Sequence, residues 1–214
     1  MISFDRGEAL RYMGYHGAEP DAAVAESLER CAAELQAAVQ PKSISARFPL
    51  SFTGENTMQL GDLTVTSANL ARNLRGCTEV YLMAATLGIG ADRLIARASA
   101  VRMSDAVILQ AVAAAMIETC CDEVNDVLRH MAEREGLYCR PRFSPGYGDF
   151  SIEHQRDFSR LLDTPRKIGL TVTESCLLAP IKSVTAVIGL SPEKQDCHRK
   201  GCEECGKTDC NFRR

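Results

Sequence analysis

The feature that most constrains the fold of this chain is a long helical pattern over residues 103–135. Its first half contains the run AVILQAVAAAMI at 106–117 and is apolar nearly all round, whereas its second half is amphipathic. Ser104 is a candidate N-cap and Gly136 a candidate stop. Because the apolar run is too short to cross a bilayer, the pattern predicts a helix deep in the core of a globular protein.

The other segments alternate between helical and strand-like patterns in an irregular order. The predicted helices are 20–39, 67–76 and 154–163, and the predicted strands are 44–53, 63–66, 79–88, 171–175, 175–180 and 183–190. Pro20 is placed at the start of the first helix, Ser67 caps the second, and Pro49 marks 44–53 as an edge strand. This irregular order predicts an α+β domain rather than a doubly wound sheet.

Composition narrows the functional classes. The chain has 214 residues and a net charge of −3, which favours a single main domain and argues against a broad nucleic-acid surface. The segment MISFDRGEAL contains Asp5 and lacks a long apolar core, so no secretory signal is predicted. We therefore expect a soluble, cytoplasmic protein that binds neither membranes nor nucleic acid. Six scattered cysteines are expected to be buried, reduced thiols: Cys31, Cys77, Cys120, Cys121, Cys139 and Cys176.

Two features are candidates for ligand binding. Glu118 interrupts the apolar face of the long helix, either because the helix emerges into solvent there or because its carboxylate serves a ligand. The stretch RPRFSPGYGD at 140–149 combines cations with a constrained backbone, and Arg142 lies between two prolines. Such a loop is either a solvated turn or a device that directs a guanidinium fork at a ligand carboxylate.

The loop also carries a family resemblance. Arg142-Phe143-Ser144-Pro145-Gly146-Tyr147 resembles the Arg-x-x-x-Gly-Tyr motif of the activation domain of cobalamin-dependent methionine synthase, and LTVTESCLLAPIKSVTAVIGL at 170–190 resembles that family's Thr-Glu-Ser, Pro and Ser-Val-Ser segment. The helix around IETCCDEV resembles the one that bears the family's ligand-binding glutamate. The resemblance is clear over residues 104–190 and diffuse before them. It implies a twisted antiparallel sheet flanked by helices.

The resemblance also implies a function, the reactivation of cobalamin by reductive methylation with S-adenosylmethionine. Implied ligand contacts are made by Glu118, Arg142, Pro145, Gly146, Tyr147 and Gly148, and Tyr147 is the implied catalytic residue at the corrin. The cobalamin would come from a separate corrinoid-binding protein, or from a core methionine synthase without its own activation domain. A low-potential donor such as flavodoxin or ferredoxin would supply the electron.

Three departures from the family pattern accompany the resemblance. Gly148 stands where a proline usually follows the Gly-Tyr pair, the family's extended C-terminal helical segment is missing, and its N-terminal acidic ligand residue has no clear counterpart. Two alternatives of other classes therefore remain open. They are a non-catalytic module that docks on or chaperones corrinoid proteins, and a metal-binding regulatory protein.

The C-terminal tail forms a separate feature, and we predict a domain boundary between a domain at 1–190 and a tail at 191–214. Cys197, Cys202, Cys205 and Cys210 follow the spacing C-x4-C-x2-C-x4-C. Four thiolates at such short spacing suit either a structural zinc ion or an iron–sulfur cluster.

Overall fold

The structure is a computed structural model that describes residues 3–15 and 18–194. The helices in these ranges are α1 Arg6–Tyr12, α2 Ala22–Ala38, α3 Ala68–Asn73, α4 Ile89–Val101, α5 Met103–Glu133, α6 His154–Leu162 and α7 Thr164–Ile168. The strands are β1 Lys42–Phe52, β2 Thr57–Leu60, β3 Leu63–Thr66, β4 Glu79–Thr86, β5 Tyr138–Cys139, β6 Thr171–Val172, β7 Leu178–Ala179 and β8 Ser183–Ser191.

An antiparallel sheet of six strands organises the fold, in the order β3-β2-β1-β4-β8-β5. Strands β6 and β7 form a separate antiparallel pair. Helices flank the main sheet, and the predicted α+β class with an antiparallel sheet is confirmed. Residues 195–214 lie outside the described residues, so the boundary at 190/191 stays a prediction, although β8 and its buried last residue Ser191 extend one position beyond it.

The sheet separates two apolar cores, because successive side chains of a strand point to opposite faces. Tyr81, Met83 and Ala85 of β4 pack in a core with residues of α1, α2, α4 and α5. Val80, Leu82 and Ala84 of the same strand pack in a second core with residues of α3, α6 and α7. Strand β4 is therefore buried on both faces, which explains why its sequence is apolar without alternation.

The long helix α5 forms much of the first core. Thirteen of its side chains are buried, and most of them belong to the apolar first half, as predicted. It is long and apolar enough to cross a membrane, but 61% of its most apolar window is buried inside the fold. The predicted cap at Ser104 is wrong, and Arg102 is the N-cap of α5. Arg102 is also the C-cap of α4, so it is the single residue that connects the two helices.

Two proline-based predictions need correction. Helix α2 is capped by Asp21, whose carboxylate accepts a hydrogen bond from the Val24 amide at 2.8 Å, so Pro20 lies outside the helix. Strand β1 is an interior strand in the sheet order, and the prediction of an edge strand is wrong. The proline is tolerated because β1 pairs with β4 only up to Pro49 and with β2 only from Leu50 onward.

Candidate functional site

The loop between β5 and α6 is fixed along the edge of the main sheet. The Phe143 amide donates to the Val187 carbonyl at 2.9 Å, and the Val187 amide donates to the Phe143 carbonyl at 2.8 Å. These two bonds extend the pairing of β5 with β8 by one bridge. Three residues separate Cys139 from Phe143, whereas two separate Val187 from Leu190, so the loop carries one extra residue opposite β8, as in a β-bulge.

The two arginines of the loop have different environments. Arg140 is 5% exposed, and its guanidinium donates to the Arg75 carbonyl at 3.2 Å and to Ser191 Oγ at 3.4 Å. Its partners belong to the turn before β4 and to the end of β8, so its role is structural. Arg142 instead extends to the surface of α5.

Arg142 lies between two carboxylates of α5. Its guanidinium donates to Asp122 Oδ1 at 2.7 Å and to Glu118 Oε2 at 3.3 Å. Burial opposes the charged form of Arg142, but the hydrogen bond to Asp122 and the neighbouring charges outweigh it and raise its pKa. The arginine side chain is 21% exposed, Glu118 is 40% exposed and Asp122 69%, so the cluster borders solvent. One cation faces two anions there.

The turn that follows Arg142 presents Tyr147 to solvent. Gly146 has φ 95° and Gly148 has φ 56°, values in the left-handed region that favours glycine. The Gly146 amide donates to the Phe150 carbonyl at 2.8 Å and the Tyr147 amide to the Ser144 carbonyl at 3.2 Å. Pro145 is buried, whereas the Tyr147 side chain is 69% exposed. Because hydrogen bonds within the loop occupy the Gly146 and Tyr147 amides, any backbone contacts with a ligand must be made by the other groups of the turn.

Asp149 ties this turn to helix α3. Its carboxylate accepts hydrogen bonds from Ser67 Oγ at 2.5 Å, the Ala68 amide at 2.7 Å and the Asn69 amide at 3.1 Å. The hydrogen bond from Ser67 and those from the two amides lower its pKa to about 2. The predicted cap is also confirmed, since Ser67 Oγ accepts from the Leu70 amide at 3.0 Å.

Glu118 and Arg142 therefore lie together, while Gly146, Tyr147 and Gly148 belong to the adjoining turn; their ligand contacts stay predictions. Sequence reasoning missed Asp122 and Asp149. Asp122 could have been found, because it lies four residues after Glu118 and so shares its helix face. Asp149 could not, because its partners lie 80 to 82 residues away in the sequence.

The cysteines of the described residues show no reactive or metal-binding arrangement. Five of the six scattered cysteines are buried and Cys139 is half-buried. Burial raises the pKa of Cys121 to about 12 and that of Cys139 to about 11, which disfavours the reactive thiolate. Within residues 3–15 and 18–194, no group of three or more His, Cys, Asp or Glu residues is arranged to hold a metal ion. The four tail cysteines, Cys197, Cys202, Cys205 and Cys210, lie outside the described residues.

Comparisons with known proteins give a match of fold. A solved structure described as "Crystal Structure of the MetH Reactivation Domain bound to AdoHcy" superposes with a TM-score of 0.63. The chain has the fold of the MetH reactivation domain. The match covers 91% of this chain and 72% of the other, at 16% sequence identity. At the level of sequence, no protein family and no curated protein matches.

Proposed function

We propose that this protein binds S-adenosylmethionine and uses it to reactivate the oxidised cobalamin of a separate corrinoid protein. The observation that carries the proposal is the cluster of Arg142, Glu118 and Asp122 beside the glycine turn of Tyr147. The fold shared with the MetH reactivation domain, whose structure holds AdoHcy, supports the same ligand class.

The charges of the cluster complement those of the ligand. S-adenosylmethionine carries one carboxylate and two cationic groups, an ammonium and a sulfonium. Arg142 offers a guanidinium to the carboxylate, and Glu118 and Asp122 offer two carboxylates to the cationic groups. Because Asp122 and Glu118 already bind Arg142, the guanidinium is held in a defined orientation before the ligand arrives.

In the proposed reaction the protein positions a methyl donor against another protein's cobalt. One electron from a low-potential donor, such as flavodoxin or ferredoxin, and the methyl group of S-adenosylmethionine together convert the partner's cob(II)alamin into methylcobalamin and release S-adenosylhomocysteine. The Tyr147 ring is exposed, and in the proposed complex it contacts the corrin. The residues of this chain orient the donor, and they need no covalent chemistry of their own.

The decisive experiment combines two measurements. Calorimetry with S-adenosylmethionine tests ligand binding, and the visible spectrum of a cob(II)alamin-loaded corrinoid protein tests reactivation in the presence of a reductant. The proposal expects binding and the appearance of methylcobalamin. Absence of binding would contradict it, and binding without any methylcobalamin across candidate partners would favour a docking or chaperone role.

We expect Glu118→Gln to weaken S-adenosylmethionine binding by about fivefold, since a partly exposed charge pair is worth about 1 kcal/mol. The amide keeps the volume of the side chain but removes the charge that faces a cationic group. Titration calorimetry at low ionic strength measures the change. Glu123→Gln is the matched control, because Glu123 is exposed on the same helix outside the cluster. Equal affinities for the two variants would mean that Glu118 is an ordinary surface residue without a role in ligand binding.

We further expect the tail to bind one metal centre through Cys197, Cys202, Cys205 and Cys210. Anaerobic purification followed by metal analysis and visible spectroscopy distinguishes the two chemistries. Zinc would give a colourless, structural centre, whereas an iron–sulfur cluster would absorb in the visible range and provide a route for the electron. A truncation after residue 195 serves as the control and is expected to keep its affinity for S-adenosylmethionine. A folded protein that takes up neither metal would contradict the prediction.

A further inference from the structure

We infer that Asp149 is a positioning residue that holds the Gly146–Gly148 turn, and with it Tyr147, in the conformation that receives the ligand. The inference rests on the proposed function and adds to it a residue that touches neither Arg142 nor the carboxylates of α5 in the structure. Asp149 acts through the backbone of the turn, which it fastens to the first residues of α3.

The turn is attached to the rest of the fold at three points. Upstream, Phe143 bridges to β8. Downstream, the Phe150 ring is 1% exposed and packs in the second core. Between them, the only side chain of 146–149 with a hydrogen bond among the described residues is Asp149. Without its carboxylate, the stretch from Gly146 to Gly148 would keep only the short bonds within the loop.

The turn approaches α3 closely at Gly148. A side chain at Gly148 would place its Cβ 2.5 Å from Asn69 Nδ2. A glycine at 148 thus lets the turn lie against α3, where the Asp149 carboxylate reaches two amides of the helix and the hydroxyl of its N-cap Ser67. Both amides lie in the first turn of the helix, where backbone N–H groups lack partners within the helix and a carboxylate is favoured.

The acid behaviour of the contact follows from its chemistry. The pKa of Asp149 is lowered to about 2 in the folded protein, below the value of about 3.9 for an exposed aspartate. Because the pKa is lower in the folded state, the ionised carboxylate stabilises the folded protein at pH values above the pKa of the unfolded state. This contribution is lost as the pH falls from about 4 to about 2. At neutral pH the anchor is fully charged, so substitution rather than titration is the practical test.

The test measures amide hydrogen exchange and ligand affinity in the full chain. In Asp149→Ala, the amides of Gly146, Tyr147 and Phe150, which donate within the loop, are expected to exchange roughly tenfold faster, while β4 exchanges as before. The affinity for S-adenosylmethionine is expected to fall by roughly tenfold. Asp149→Asn should recover part of both losses, because its amide oxygen can still accept hydrogen bonds from α3. Glu153→Ala is the matched control, an exposed acid nearby whose side chain does not cap α6.

The outcomes separate this inference from the proposed function. Unchanged exchange in a folded Asp149→Ala variant overturns the inference, and so does faster exchange with unchanged affinity. If that variant fails to fold, Ser67→Gly, which removes one of the three donors, is expected to give a smaller effect on the same amides, and no effect there overturns the inference. If the unmodified protein binds no S-adenosylmethionine, the proposed function fails, and with it the positioning role. Anchoring of the loop by Asp149 would still be read from the exchange rates.

Discussion

The Arg142→Ala variant is expected to bind S-adenosylmethionine about 30- to 1,000-fold more weakly than the unmodified protein. This range corresponds to about 2–4 kcal/mol, the cost of losing a charge-assisted, two-point contact in a partly desolvated site. The variant also leaves Glu118 and Asp122 without their shared cation. Because these two carboxylates border solvent, the change in folding stability should be small.

Calorimetry on folded protein measures this loss, and two further variants define its cause. Arg142→Lys should recover only part of the affinity, since an ammonium cannot reproduce the planar fork of a guanidinium. Arg129→Ala is the matched control. Arg129 pairs with Asp126 at 3.0 Å on α5, the helix that carries the two carboxylates of the cluster, but it lies outside the cluster. An Arg142→Ala variant that folds and binds with normal affinity would show that the Arg142 guanidinium does not contact the ligand.

Much of the fold could be predicted because its core elements carry strong local patterns. The long apolar helix and the strands at 63–66, 79–86 and 183–191 are found within a few residues of their predicted positions. Helix α4 was missed, since its N-cap is Gly88 with φ 81° and no side chain caps it. The strand order was not predictable from local patterns, because β4 pairs with β8 about 100 positions later in the chain.

The candidate site, like the fold, is predicted in part by local sequence patterns and depends in part on contacts between residues far apart in the sequence. Local context identifies Glu118 and Arg142 as candidates, one as a carboxylate on an apolar face and the other as a cation between prolines. Their direct contact depends on the bridge between Phe143 and Val187, which fixes the side of the sheet to which Arg142 points. Strict alternation would place Arg140 and Arg142 on the same face, but the loop has three residues between Cys139 and Phe143 where β8 has two between Val187 and Leu190. This extra residue breaks the alternation, and Arg140, which looks equivalent in sequence, is structural in the fold.

The Phe158→Ala variant is expected to lose about 3–5 kcal/mol of folding free energy, the usual range for a fully buried phenylalanine. Phe158 is 0% exposed in the second core. Its ring centroid lies 6.4 Å from that of Phe150, which in turn lies 6.3 Å from Phe143. Guanidinium unfolding measures the loss, and Phe52→Ala, at a 43% exposed position of β1, is the control with an expected loss below about 1 kcal/mol.

Phe158→Ala should also weaken ligand binding. The rings of Phe143, Phe150 and Phe158 pack in a row against the loop and support it. A cavity at position 158 lets the Phe150 ring move, and Phe150 accepts the hydrogen bond from the Gly146 amide through its carbonyl. At a temperature where both variants are folded, Phe158→Ala should therefore bind S-adenosylmethionine more weakly than Phe52→Ala does. Equal affinities, together with the large loss of stability, would mean that the loop keeps its shape without this support and depends on Asp149 and the Phe143 bridge instead.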